Sequence, residues 1–156
     1  MAVSDLKALR QRYRLTQKQV AAYAGVQQPV VSAVENGVRA TPEARARVLA
    51  AIRALARPGE GLTPDVRSEA LAVFAKYGAS DVRIFGSVAK GTDHPGSDID
   101  VVAKFPAGFS LFEMMALEEE LEDVIGLPVD VISDDPRAGR VLDAINKSAT
   151  PFVAAP

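Results

Sequence analysis

The chain has 156 residues, with 18 Lys and Arg against 20 Asp and Glu and 48% apolar residues, the composition of a folded globular protein rather than a fibre or a disordered tail. It holds no cysteine and a single histidine, His94, which excludes disulfides, thiolate metal sites, cysteine nucleophiles and multi-histidine zinc sites. No apolar run approaches the roughly 18 residues needed to cross a bilayer, and the opening MAVSDLKALRQR lacks a signal-peptide core, so the expected location is the cytoplasm.

Taken in order, residues 1–57 read as short helices. Ser4 is a candidate N-cap for a first helix through Leu6, Leu9 and Arg10 toward Tyr13. Thr16 caps a second, Gln17–Ala24, with Val20, Ala21 and Ala24 on its apolar face. Gly25 supplies a tight turn and Val26 enters the core. A third helix over 28–36 tolerates Pro29 in its first turn, buries Val31 and Val34, and stops at Asn36-Gly37. Thr41-Pro42-Glu43 opens a longer helix with Val48, Leu49, Ile52 and Leu55 inward.

This stretch carries ten Lys and Arg against three Asp and Glu, a charge of +7, whereas 58–156 carry eight against seventeen, or -9. The split suggests two modules with different partners, the first suited to a polyanion. Between them Arg57-Pro-Gly-Glu-Gly-Leu-Thr-Pro64 is rich in helix breakers. The expected organisation is a DNA-binding domain over 1–57, a linker over 58–63 and a second domain over 64–156.

Two helices joined at Ala24-Gly25-Val26 make a helix-turn-helix, whose second helix can enter a major groove. Leu15-Thr-Gln-Lys-Gln-Val-Ala-Ala-Tyr-Ala-Gly-Val26 followed by Gln28-Pro-Val-Val-Ser-Ala-Val-Glu-Asn-Gly37 resembles the phage-repressor (XRE-type) family. The resemblance implies that Gln17 meets a phosphate while Gln27, Gln28 and Ser32 face bases. Two positions depart from that family: Gln27 stands where Ser or Thr usually caps the helix, and Ala33 where a long polar residue is common. Gln28 suits an adenine edge, and Pro29, Val30 and Ala33 offer apolar contact to thymine methyls. Arg10, Lys18 and Arg39 are candidates for phosphate contact.

The second module alternates helix and strand. Thr63-Pro64 opens a helix with Val66, Ala70, Val73, Phe74 and Tyr77 on one side, closed by Gly78. Strands are expected over 82–85, 98–103 and 128–132, with a helix over 110–125 and a last one over 137–146. The fold class is thus an all-α helix-turn-helix domain followed by a small α/β domain with a mixed sheet.

The chemistry-bearing residues lie at strand ends. Gly86-Ser87 directly after a strand allows backbone N–H groups to approach a phosphate. Asp98 and Asp100 alternate on one strand face, and Asp130 sits between Val129 and Val131 on another. Grouped carboxylates without a nearby cation repel, and a divalent metal is the natural remedy. Taken singly, each of these aspartates also fits the solvent face of a half-covered strand.

Gly-Ser, ten residues, Asp-x-Asp and then Val-Asp-Val about thirty residues on resemble the polymerase-beta-type nucleotidyltransferase superfamily. Within it, Ile84-Phe-Gly-Ser-Val-Ala-Lys-Gly-Thr-Asp-His-Pro-Gly-Ser-Asp-Ile-Asp-Val-Val102 is most similar to the minimal nucleotidyltransferases. The resemblance implies Gly86 and Ser87 for the triphosphate of ATP, Asp98, Asp100 and Asp130 as catalytic ligands of two Mg²⁺ ions, and Asp130 as an aid to deprotonating the acceptor. Lys90 is a candidate phosphate ligand or a solvated loop residue. His94 is expected exposed, Glu118-Glu119-Glu120 a solvated helix face, and Met114-Met115 core or interface.

With no evident second lobe, a macromolecule is expected to bring the acceptor hydroxyl. The resemblance implies an antitoxin that silences a HEPN-type toxin ribonuclease by transferring AMP to a tyrosine. The helix-turn-helix would then bind operator DNA as a homodimer and regulate the operon. Two alternatives stay open: a transcription regulator whose second domain only binds a nucleotide or a protein, and a small-molecule transferase completed by a homodimer.

Overall fold

The computed structural model describes residues 5–153. Four helices build the first module: α1 (Leu6–Arg12), α2 (Gln17–Ala24), α3 (Gln28–Glu35) and α4 (Pro42–Leu55). Each start has a local cause. Asp5, not Ser4, caps α1 by accepting the Ala8 N–H at 2.9 Å; Ser4 lies outside the described residues. Thr16 and Gln19 form a reciprocal capping box on α2, and Thr41 caps α4. Gln27 provides α3 with no side-chain cap, in keeping with its departure from the usual Ser or Thr. Leu6, Leu9, Val20, Val31, Val34, Val48 and Ile52 fill the space between these helices.

The connection expected as a linker is folded. Pro58–Gly61 forms a helical turn, α5, in which Pro58 and Gly61 are buried, and Leu62 after it is buried too. Proline at the first helical position explains the turn: its missing N–H would have had no helical partner anyway. Gly61 meets the ring of Tyr13 so closely that a Cβ would overlap Tyr13 Cε1 and Cζ. The buried carboxylate of Asp93 accepts the Gly59 N–H at 2.8 Å, tying this turn to the second module.

That module runs α6 (Pro64–Lys76), β1 (Ser80–Phe85), α7 (Gly86–Lys90), β2 (Ile99–Lys104), α8 (Leu111–Ile125), β3 (Val129–Ser133), α9 (Arg140–Ser148) and β4 (Thr150–Pro151). The sheet order is β3-β2-β1-β4; β2 and β3 are parallel and the other pairs antiparallel. A parallel pair needs a long crossover, and α8 provides it, packing Leu117, Leu121 and Ile125 inward. The central β2 is covered on both faces, so Ile99, Val101, Val102 and Ala103 are all buried and Asp100 interrupts an apolar run.

Three expectations are corrected. β2 begins at Ile99, so Asp98 precedes the strand rather than belonging to it. The helix expected over 137–146 is split at Gly139, φ +59°, into a 3-10 turn, Pro136–Ala138, and α9. β4 was not expected, because two residues including a proline carry no periodicity; it pairs along β1 through Arg83 and Ile84.

The two modules share one continuous core. Cations and a hydroxyl of the first module satisfy the last carbonyls of α8, which have no helical partner of their own. Arg12 donates to Val124 O at 2.9 Å and Ile125 O at 3.1 Å, and the Tyr13 hydroxyl donates to Ile125 O at 3.1 Å. Arg53 donates to Gly126 O at 3.2 Å and pairs with Glu122 at 2.6 Å. The helical and sheet modules are thereby docked on the helix that crosses from β2 to β3.

Candidate functional site

β1 ends at Phe85, which lies opposite Asp100 in the antiparallel ladder. The chain then turns through Gly86 at φ +71° into the single-turn helix α7, which has no side-chain cap at its start. Gly86 faces Asp100: a Cβ there would collide with Oδ2 and stand 3.3 Å from Cγ. Only a residue without a side chain fits both that backbone conformation and that neighbour. Ser87 follows in the first turn of α7, half-buried.

On the other side of β2, Asp100 is the direct partner of Asp130 in the parallel ladder. Partners across neighbouring strands share a face and stand about 5 Å apart. Asp100 is half-buried, Asp130 exposed, and Asp98 exposed just ahead of β2. Burial raises the Asp100 carboxyl above its ordinary range, and the charges of Asp130 and Asp98 push it the same way. All three aspartates therefore act on one end of the sheet.

Hard oxygen donors with accumulated negative charge are the chemistry that suits Mg²⁺, and the missing Cβ of Gly86 makes room for one of them, the Asp100 carboxylate, so the donor set fits a divalent metal. Among the described residues, however, no three carboxylates or histidines are gathered as a ready-made cage. The ladder joins Asp100 and Asp130; Asp98 enters through its charge.

Other expected residues fall farther out. Lys90 is exposed in the last turn of α7, at the opposite end from Gly86. His94 is exposed, its Nδ1 2.9 Å from Pro95 O. Met114 packs against the core while Met115 is 59% exposed. The glutamate run is not a simple solvated face. Glu118 accepts the Val131 N–H of edge strand β3 at 3.1 Å, next to Asp130, and Glu120 takes Lys76 at 2.6 Å and the Tyr77 hydroxyl at 2.7 Å.

In the first module, α2 and α3 meet at Gly25, φ +66°. Gln27, Gln28, Lys18 and Arg39 are exposed, and Ser32 is half-buried, its Oγ accepting from Asn36 at 3.4 Å. Arg10 is a correction: expected at phosphate, it is 9% exposed and grips Glu35 at 2.5 and 3.1 Å while donating to Leu15 O. Glu35 also accepts from Gln17 at 2.9 Å, and Gln17 accepts from Gln28 at 3.4 Å. Burial pushes the Glu35 carboxyl up, but the hydrogen bonds from Arg10 and Gln17 and the charges of Arg10 and Lys7 outweigh it and hold it below the usual range. A buried ion pair thus carries, through Gln17, to the helix end that presents Gln28.

Comparison with known proteins gives both modules a family. Residues 68–150 match the nucleotidyltransferase domain family, and residues 6–52 match a helix-turn-helix family. A Methanocaldococcus jannaschii protein, provisionally named a protein adenylyltransferase, is 35% identical over 69 residues, 44% of this chain and 74% of that protein. The protein adenylyltransferase MntA of Thermococcus cleftensis is 35% identical over 57 residues, 36% of this chain; the match spans 58% of that relative's own length. A solved structure provisionally described as a minimal nucleotidyltransferase superimposes with a TM-score of 0.50 at 35% identity, covering 55% of this chain and 87% of its own.

Proposed function

The chain belongs to the nucleotidyltransferase domain family, and we propose that it is a protein adenylyltransferase that moves AMP from ATP onto a hydroxyl of a partner protein. The observation that carries this reading is the position of Asp100, between Asp130 across the ladder and the Cβ-free turn at Gly86. An acidic pair at strand ends beside an uncapped glycine turn is what an incoming triphosphate and its counter-ions need. The names of the relatives support AMP as the transferred group.

In this reading the backbone N–H groups of Gly86 and Ser87 receive the triphosphate, with Lys90 as a cation on the approach. Asp98, Asp100 and Asp130 hold Mg²⁺, which when bound supplies neutralisation of the triphosphate and of the departing pyrophosphate. Asp130, exposed where Asp100 is half-buried, takes the proton of the incoming hydroxyl. The hydroxyl oxygen forms its bond to the α-phosphorus as the bond to pyrophosphate breaks. Asp100, fixed against the turn at Gly86, keeps the nucleotide in line.

The helix-turn-helix extends the proposal to regulation: residues 6–52 bind operator DNA, and the modified partner is a HEPN-type toxin ribonuclease encoded beside this chain. Incubation with Mg-ATP and the product of the adjacent gene, followed by intact mass, tests it. The partner should gain one AMP, on a tyrosine, and should gain nothing with the Asp130→Ala variant. Neutralisation of the partner that survives substitution of Asp98, Asp100 and Asp130 alike would replace the transferase by a regulator acting through binding alone.

A further inference from the structure

Helix α8 carries an apolar stripe that nothing among the described residues covers. Phe112 is 83% exposed and Met115 59%, and with Ala116 they fall at i, i+3 and i+4, on one helical face. Together with Pro128, Val129 and Asp130 at the start of β3, they line a groove of about 550 Å³. Aromatic and methionine side chains left in water on one stripe are the composition of an interface core.

The charged side chains that line the groove are all acidic: Glu118, Glu119 and Glu122 along α8, and Asp130 on β3. Glu118 is held by the Val131 N–H and Glu122 by Arg53, which leaves Glu119 and Asp130 exposed to an incoming partner. A nucleic-acid end or an acidic peptide is repelled by that field. A second copy docking through the same face would set these carboxylates against themselves. Strand addition to β3 is blocked at Val131, whose N–H is already taken by Glu118.

From these constraints we infer that the groove between α8 and the start of β3 is the docking site of the acceptor protein, and that its occupant is a cationic amphipathic helix. The helix lays apolar anchors between Phe112 and Met115, and its Lys or Arg residues meet the glutamates. Asp130 belongs both to the groove lining and to the candidate active site, so the docked helix is brought beside the residue proposed to take the proton of the acceptor hydroxyl. This assignment rests on the reading of the chain as a protein adenylyltransferase.

The test uses the full chain, ¹⁵N-labelled, and two synthetic peptides. Both are amphipathic helices with leucines at i, i+3, i+4 and i+7 and one terminal tyrosine; one carries Lys on its flanks, the other Glu. The Lys peptide should shift the amides of Phe112, Met115, Glu119 and Asp130 and bind about tenfold more tightly than the Glu peptide. Phe112→Asp and Glu119→Lys, both at exposed positions, should each weaken it about tenfold while leaving an ATP titration unchanged. Equal affinity for the two peptides, shifts elsewhere, or self-association through α8 would overturn the assignment. ATP is titrated separately: if it moves the amides near Gly86 and Asp100 but the Lys peptide fails to dock, the surface is wrong. If the peptide docks and ATP moves nothing, the transferase reading fails instead.

Discussion

Gly86 and the carboxylate of Asp100 occupy adjoining space so tightly that even one methyl group between them is excluded. The same residue holds φ +71°, which costs an L-residue free energy in its own right. Gly86→Ala should therefore lose about 1–3 kcal/mol of stability from backbone strain, and Asp100 should shift from its position against the turn. Thermal melting reads the first effect and ATP affinity the second. DNA binding by the variant should match wild type, since the helix-turn-helix lies in the other module. An alanine variant that binds ATP normally would mean that the turn does not receive the triphosphate.

Asp100 also predicts a pH dependence. Its folded-state carboxyl lies above the ordinary value of 3.8, raised by burial and by Asp130 and Asp98. The charged form is therefore costly in the folded protein at neutral pH. That cost fades as pH falls through the raised value and is gone below about 3.8, where the unfolded chain is protonated as well. Without Mg²⁺, Asp100→Asn should be at least as stable as wild type at pH 7, and the difference should close on acidification. Transfer, by contrast, should fall by at least about a hundredfold, because several kcal/mol of charge stabilisation goes with the carboxylate. Melting curves from pH 7 to 4 alongside a transfer assay separate the two effects.

Local signals made much of this fold legible. Thr16, Thr41 and Ser110 announce their helices because a cap bonds within three residues. The strand end at Gly86 follows from period and spacing alone, whereas β2 starts one residue after the Asp98 that the alternation places on it. What the sequence hid depends on distant partners. Arg10 reads as a surface cation until Glu35 is brought to it from 25 residues away. Glu118 reads as solvated until β3 presents an N–H, and nothing local marks Asp93 before Gly59 meets it from 34 positions back. The turn at Pro58–Gly61 escaped for a related reason: its proline and glycines read as flexible until Tyr13 packs on them.

That turn provides the third prediction. Gly61→Ala would drive its methyl into the ring of Tyr13, which is buried and whose hydroxyl holds the end of α8. Overpacking of this kind costs about 1–3 kcal/mol. Tyr13→Phe should cost less, about 1 kcal/mol, because Ile125 O keeps the Arg12 donor. Both changes should lower a single melting transition. A wild-type chain that melts in two well-separated steps would show that the modules do not stabilise each other through this contact.

The last prediction concerns how stability and base reading are linked in the first module. Glu35 is held below its ordinary 4.5, so the stabilisation it provides is full above that pH and is lost as pH falls through the lower folded value. Acid should thus weaken this module below about pH 4.5, whereas the relief of Asp100 takes place above about 3.8. Arg10→Ala leaves Glu35 shielded from solvent without its main partner, and breaking such a pair costs about 3–5 kcal/mol. Because Glu35 also anchors Gln17, and Gln17 takes the Gln28 amide, Glu35→Gln should loosen Gln28 with a smaller stability loss. If Gln28 reads an adenine edge, Glu35→Gln and Gln28→Ala should both relax sequence preference, Gln28→Ala by about 1–3 kcal/mol at one base pair. Arg39→Ala should instead weaken binding to every sequence and flatten its salt dependence, as the loss of a phosphate contact does. Gel shifts on the chain's own promoter and on single-base variants, each at two salt concentrations, distinguish these outcomes. Equal loss on all sequences for Gln28→Ala would remove it from base recognition.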